Sequence, residues 1–259
     1  LEHKKDRLKT ILVTPFMSCS ARLPIYVLFS SMFFGKYAML ACYSMYLLGI
    51  VIAILTAYII SKIDGSKAEH ALLIELPEYK APNARTIAVY VWEKVKDYLT
   101  KAGTVIFFAS IVMWLLLNVG PSGFVTDITE SFGAVIGKAI VPFFRPLGLG
   151  YWQIVVALIS GIAAKEVVVS SCSVLFGIQN ITTAHGMDSF VATLGAMGFG
   201  AANAYALMVF CLLYVPCTAT IATIRREVGS TKTTAGIVLF QLAVAWVISF
   251  IAFHVAGLF

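Results

Sequence analysis

Apolar residues run through this chain in long blocks separated by short polar breaks. A bilayer core of about 30 Å is crossed by roughly 20 apolar residues in a helix, and several blocks reach that length. The first, 8–34, is interrupted by Ser18-Cys19-Ser20-Ala21-Arg22-Leu23-Pro24, and the second, 37–60, is continuous and stops at Ser61-Lys62. Residues 61–101 are polar and hold Lys62, Lys67, Lys80, Arg85, Lys94, Lys96 and Lys101. Within them, Ile87, Val91, Val95 and Tyr98 recur at helical spacing opposite charged residues. That pattern predicts an amphipathic helix over 83–101 lying on the membrane surface. A third apolar segment, 102–119, is closed by Gly120-Pro121. Residues 122–150 are mixed and weakly amphipathic, broken by Pro142 and Pro146. Segment 151–176 is apolar except for Lys165-Glu166 at its centre. A Gly-rich stretch without Lys or Arg, 177–204, reads as a loop. Segment 205–224 is interrupted at Pro216-Cys217 and followed by Arg225-Arg226-Glu227, and a last helix is expected over 233–258.

Composition supports the same class. Of 259 residues 60% are apolar and 12% charged, about half the charged share of a soluble domain. The mean hydropathy is +0.90. The expected fold is an all-α, polytopic transmembrane helical bundle with interrupted or re-entrant helices and a cytoplasmic amphipathic helix. The net charge of +6 bears on orientation, because Lys and Arg collect in cytoplasmic loops. The N-terminus, 61–101 and 225–232 then share the cytoplasmic side, and 177–204 lies outside. Counting spans leaves one crossing too many unless 151–176 enters from outside, turns near Lys165-Glu166 and returns. An extra short span over 189–203 is the competing solution. The basic residues form short clusters between apolar runs, which sets nucleic acid aside as a partner. The charged start at residues 1–9 and the absence of a small-residue cleavage site argue against a signal peptide.

Three places put polar groups deep in the apolar blocks. In Ser18–Pro24 the proline is expected to free carbonyls near Ser20 and Ala21, beside the Cys19 thiol and two hydroxyls. Broken helices of this kind form ion sites in transporters. The plainer reading is a kinked helix with Cys19 as a small packed residue, although Arg22 is expensive in lipid. The second place is Lys165-Glu166. Glu166, Ser170, Ser173 and Gly177 fall on one helical face and make a polar stripe, as a hydrated path requires; the plainer alternative is a structural ion pair of Glu166 with Arg22. The third is Tyr214-Val215-Pro216-Cys217-Thr218-Ala219-Thr220, where Pro216 again breaks a helix beside a thiol and the hydroxyls of Thr218 and Thr220. Thiols with a carboxylate suit a first-row divalent ion better than Mg²⁺ or Ca²⁺. Cys19, Cys217 and Glu166 are the candidate metal ligands, spread along a path so that the ion is released again. Cys42, Cys172 and Cys211 read as packed residues, and an odd count of five cysteines gives no disulfide framework. Gly133–Lys138 lacks the spacing and the Ser or Thr of a phosphate loop, and no nucleophile–base pair stands at workable spacing for an enzyme.

The run from Asp6 through Ser18-Cys19-Ser20-Ala21-Arg22-Leu23-Pro24 to Tyr26 closely resembles the membrane domain of the ferrous iron transport protein B family. Glu75-Leu76-Pro77-Glu78-Tyr79, Ala164-Lys165-Glu166-Val167-Val168 and Leu213–Ala222 with Arg225-Arg226-Glu227 resemble further elements of it. The resemblance covers essentially the whole chain. It implies a multi-pass protein of the bacterial inner membrane that moves Fe²⁺, with Cys19 and Cys217 in the motifs of the iron path. It implies core helices over 1–65, a cytoplasmic connector over 66–101 and a second gate region, related to nucleoside-recognition domains, over 102–259. The family's GTP-binding domain and first gate are expected outside this chain, as partners in cis or trans. A small cytoplasmic accessory protein and a homo-oligomeric state are implied as well, and no enzymatic activity is expected of these residues. Transport of another solute such as a nucleoside, or a non-transporting membrane subunit, are the alternatives.

Overall fold

The computed structural model describes residues 4–64, 83–121, 123–125, 127–178 and 181–258. The Glu75–Tyr79 element and residues 66–82 of the connector lie outside them. The described chain is helical apart from a two-residue antiparallel pair, β1 (Val119–Gly120) with β2 (Gly123–Phe124). Three helical stretches are long and apolar enough to cross a membrane: Asp6–Ile63, Ala201–Val228 and Thr231–Ala256. A fourth arises if the pair Phe132–Leu147 and Trp152–Ala163, bent by 100°, is taken as one. The protein is therefore a multi-pass membrane protein.

The first stretch is folded back on itself. α1 (Lys4–Val13) and α2 (Leu23–Phe34) form one interrupted crossing. At Gly35, φ is +47°, a value an L side chain resists, and the chain reverses there. α3 (Ala38–Asp64) then returns along both. Tyr26 meets Tyr46 edge-on at 6.3 Å, and Gly49 lets the Phe16 carbonyl come within 2.9 Å of where a Cβ would stand. With 27 residues α3 spans about 40 Å, more than a bilayer core. Its outward face, with Leu47, Ile54 and Tyr58, is exposed to the surroundings.

α4 (Ala84–Asn118) departs from expectation. The separate surface helix and membrane segment predicted over 83–101 and 102–119 are one continuous helix of 35 residues. No proline separates them, and Gly103 alone costs about 1 kcal/mol, too little to stop a helix. Thr100 and Thr104 donate back to the carbonyls of Lys96 and Thr100, in register across the expected break. A short turn carries the chain to α5 (Phe132–Phe144), capped by Ser131, whose Oγ accepts from the Ala134 N–H at 3.2 Å. Pro142 is accommodated inside this helix, whereas Pro146 and Gly148 (φ +70°) end it.

α6 (Trp152–Ala163) and α7 (Val167–Leu175) form a hairpin. Ser160 and Ser171 share a hydrogen bond of 2.7 Å across it, so the two arms run antiparallel about Lys165. This is the turn-and-return expected for 151–176. The stretch 177–204 is no loop. It contains α8 (Ala184–Ala196), capped by Thr183, whose Oγ1 accepts from the Gly186 N–H. Phe190 and Leu194 of α8 are fully buried, Phe190 against Phe29 and Phe176. Thirteen residues cover only about 20 Å, so α8 does not cross a membrane. His185 stands exposed on this helix.

α9 (Ala201–Leu213) is the axis of the bundle: every residue from Ala206 to Val215 is buried. A helix apolar all round belongs in a core. The chain breaks at Tyr214–Cys217 and continues as α10 (Thr218–Val228) and α11 (Thr231–Ala256). α11 packs along α9 and ties to it through Ser249, which donates to the Ala206 carbonyl at 2.7 Å. Arg7 reaches Glu227 at 3.9 Å, placing the N-terminus and the basic end of α10 on one end of the bundle. At the other end Asn203 donates to the Gly148 carbonyl and Tyr151 to the Met197 carbonyl. The basic ends expected to be cytoplasmic are thus together, and both ends of the α6–α7 hairpin face the opposite way.

Candidate functional site: two helix breaks around a hairpin turn

The first break is extended backbone at Met17 (ψ 136°) and Cys19 (φ −108°, ψ 162°), between two short 3-10 turns. The carbonyls it frees differ from those expected. Pro24 sits in the first turn of α2, where its missing N–H is no loss. The Ser20 carbonyl accepts from the Leu23 N–H, and that of Cys19 from the Arg22 N–H. The Pro15 and Met17 carbonyls of the break are both taken by Arg22, each at 3.0 Å. Arg22 is 3% exposed, so its planar fork locks the break from within. The structural ion pair with Glu166 is not formed: the guanidinium is spent on these carbonyls. Ser18 Oγ, Arg22 Nε and Tyr26 Oη are buried beside the break. Cys19 and Ser20 are exposed.

The second break runs through Tyr214 (φ −68°, ψ 177°) and Cys217 (φ −62°, ψ 158°). Pro216 lacks an N–H and is buried in the break. Cys217 Sγ lies 3.2 Å from Thr220 Oγ1, one turn along α10, as the spacing predicts. Three contacts join this break to the hairpin. Thr218 donates to the Ala163 carbonyl at 3.2 Å, and Tyr214 donates to that of Leu158 at 3.3 Å. Lys165, 3% exposed, donates to the Val215 carbonyl at 2.7 Å. Its ammonium also sits 3.1 Å from the centroid of the Tyr214 ring. Gly161 makes this closeness possible, because a Cβ there would overlap the Tyr214 hydroxyl and Val168 Cγ2.

The two breaks and the turn lie on neighbouring elements: α2, which follows the first break, packs against α9, which ends in the second, and against α7, which follows the turn. Cys211 is fully buried, a packed residue as read. Tyr26 and Tyr214 carry no charge and no metal-ligand signature, so only tertiary structure reveals their part. Glu166 and Ser170 are exposed, on the far side of the turn from Lys165. Ser173 donates to the Ile178 carbonyl and closes the end of α7. The polar stripe therefore faces outward from this chain. Among the described residues no group of three or more His, Cys, Asp or Glu side chains is placed to hold a metal ion. Cys19, Cys217 and Glu166 are spread apart rather than closed around one point. A groove of about 710 Å³ begins at Thr218, beside Cys217, and runs along α10 to Arg225, Arg226 and Thr231 at the basic end.

Residues 99–231 match the family model described as nucleoside recognition, the gate family, and residues 42–94 match that of the ferrous iron transport protein B C terminus. The junction between them falls inside α4. The chain is 40% identical over its whole length to the Fe(2+) transporter FeoB of Staphylococcus aureus (strain MSSA476), of which it covers 38%. It is 40% identical over 97% of its length to that of Methanocaldococcus jannaschii, covering 37%. A relative at 32% identity in Porphyromonas gingivalis is a fusion of Fe(2+) transport protein A with the transporter, and the chain covers 35% of it. The chain thus spans well under half the length of these relatives. No solved structure matches it. With a gate region and the ferrous iron transport protein B C terminus together accounting for most of its residues, the chain belongs to the ferrous iron transport protein B family.

Proposed function

We propose that this chain forms the translocation part of a ferrous iron uptake system in the cell membrane of a prokaryote, and that Fe²⁺ passes between the two helix breaks. The observation that carries the reading is a pair of helix breaks deep in the bundle, each bearing a cysteine and each with a buried cation on its carbonyls, Arg22 at the first and Lys165 at the second. Sulfur and carbonyl oxygen together suit Fe²⁺ better than Mg²⁺ or Ca²⁺. Cys19 is the exposed ligand at the first break. Cys217, with Thr218 and Thr220, is the ligand set at the second, from which the α10 groove leads to the basic end. Glu166, with Ser170 and Ser173 behind it, is the carboxylate that meets the ion on the outward face of the turn. The name of the Porphyromonas gingivalis relative supports a small accessory protein as a partner. A GTP-binding domain in the remainder of the transporter supplies the energy, and the transporter works as a homo-oligomer.

The test is ⁵⁵Fe²⁺ uptake by a full transporter carrying this chain, in cells without other ferrous uptake. Cys19→Ser and Cys217→Ser should each reduce uptake at least about tenfold at unchanged protein level, and Glu166→Gln should reduce it less. Unimpaired uptake in both cysteine variants would refute the path. A second reading comes from the description of the gate family, nucleoside recognition. Nucleoside uptake with no metal dependence, competed by unlabelled nucleoside, would select it.

A further inference from the structure

Arg22 and Lys165 are the two cationic side chains buried among the described residues, and each fills carbonyls at a helix break. They do so differently. Arg22 is bound to its own segment, five and seven residues away, by two bonds from a rigid fork. Lys165 reaches across 50 residues to another element with one bond. An ammonium on a four-carbon stem is a compact point charge that can swing aside. Among the described residues no carboxylate is placed to pair with it, and Glu166, its neighbour in the chain, is exposed whereas Lys165 is buried. A buried cation resting only on a carbonyl oxygen and an aromatic face occupies a seat built for a cation. The oxygen of Val215 and the face of Tyr214 form that seat, with Cys217 and Thr220 directly after it in the chain.

We propose that Lys165 is a tethered cation occupying the seat that the translocating ion takes at the second break, so that each passage displaces its ammonium from the Val215 carbonyl and the Tyr214 ring. The inference rests on the ion path proposed above. Two positive charges cannot share this seat in a low-dielectric interior. While the ammonium is in place, the second break is shut and the α6–α7 hairpin is latched to α9. When a divalent ion arrives, coordination to Cys217 and the Val215 carbonyl replaces the ammonium and the latch opens. Lys165 therefore keeps an empty path closed without a separate gate.

The test uses Co²⁺ as an air-stable probe of the site in the purified full transporter. In the wild type, Lys165 is labelled by reductive methylation and read by mass spectrometry, with exposed Lys36 as the internal reference. Labelling of Lys165 should rise at least about fivefold on adding saturating Co²⁺, with Lys36 unchanged. In parallel, Co²⁺ is titrated by its thiolate absorption. Lys165→Met, which keeps the apolar stem, should bind Co²⁺ at least about tenfold more tightly than wild type, whereas Lys165→Arg should not. A labelling rate indifferent to Co²⁺, or equal affinity in wild type and Lys165→Met, overturns the proposal. If Lys165→Met does not fold, the wild-type labelling decides alone. A Co²⁺ signal abolished by Cys217→Ser but indifferent to Lys165→Met sinks the latch and leaves the path standing. No thiolate signal in any variant sinks both.

Discussion

Gly161→Ala tests whether the hairpin and the second break are one packed unit. The added methyl would overlap two atoms at once, Tyr214 Oη and Val168 Cγ2, both nearer than real Cβ contacts come. Neither is the loose end of a flexible side chain. Val168 is 1% exposed on the opposing arm of the hairpin, and Tyr214 is 2% exposed with its hydroxyl on the Leu158 carbonyl. Overpacking of this kind costs about 1–3 kcal/mol. Losing the tyrosine hydrogen bond adds about 1 kcal/mol. The sum, about 2–4 kcal/mol, lowers the melting temperature of a chain this size by on the order of 10 °C. Thermal unfolding of the purified protein in detergent reads it. Gly195→Ala in α8 is the control. Nothing stands within 4 Å of its Cβ position, and the same substitution should stabilise by about 0.5–1 kcal/mol there. Opposite signs at the two glycines support the argument. A Gly161→Ala protein as stable as wild type would show that the hairpin does not press on Tyr214, and the account of the second break would fall with it.

Arg22→Ala removes the partner of two carbonyls, those of Pro15 and Met17, in a buried break. Each stranded acceptor costs about 1–3 kcal/mol, so detergent-solubilised Arg22→Ala should unfold well below wild type, and Arg22→Lys should recover only part of the loss; a fall within experimental error would mean water serves the break as well as the guanidinium does. The Ser160–Ser171 bond calls for a double-mutant cycle. Ser171→Ala alone should cost about 1 kcal/mol, because Ser160 keeps its own bond to the Ala157 carbonyl, and the double alanine variant should cost less than the sum of the two single losses. Additive losses in the cycle would show that the two arms do not meet at that bond.

The breaks are legible because proline and charge stand out in apolar runs, and their mechanism is not. Pro216 marks a true interruption. Pro24 marks the start of α2 instead, and the carbonyls actually freed lie seven and nine residues earlier. The Lys165-Glu166 turn is visible as the one charged pair in a long apolar block, yet the partner of Lys165 is 50 residues away and no local pattern names it. Two elements mislead for a physical reason. Glycines at 186, 195, 198 and 200 make 177–204 look like loop, although Phe190 and Leu194, four apart, give α8 the apolar edge that anchors it. The change from charged to apolar surface near residue 101 imitates a boundary, but a change of environment does not end a helix in the absence of a breaker. Ser173 shows the reverse error: its spacing fits a polar stripe, while its hydroxyl is used to close the end of α7.

The electrostatics of the two breaks bear on which ions the proposed path admits. An arriving divalent cation meets Arg22, which is fixed, and Lys165, which must move. Carbonyl dipoles and a tyrosine face do not offset that repulsion for an ion that keeps its water. A thiol offsets it only as a thiolate, and metal binding itself releases the thiol proton. First-row ions such as Fe²⁺ or Co²⁺ draw sulfur strongly enough to make that exchange; Mg²⁺ and Ca²⁺, which prefer oxygen and dehydrate reluctantly, do not. On this reading discrimination against hard ions comes from the buried cations as much as from the sulfurs. Removing the charge at Lys165 should then relax selectivity as well as raise affinity, admitting ions that wild type repels.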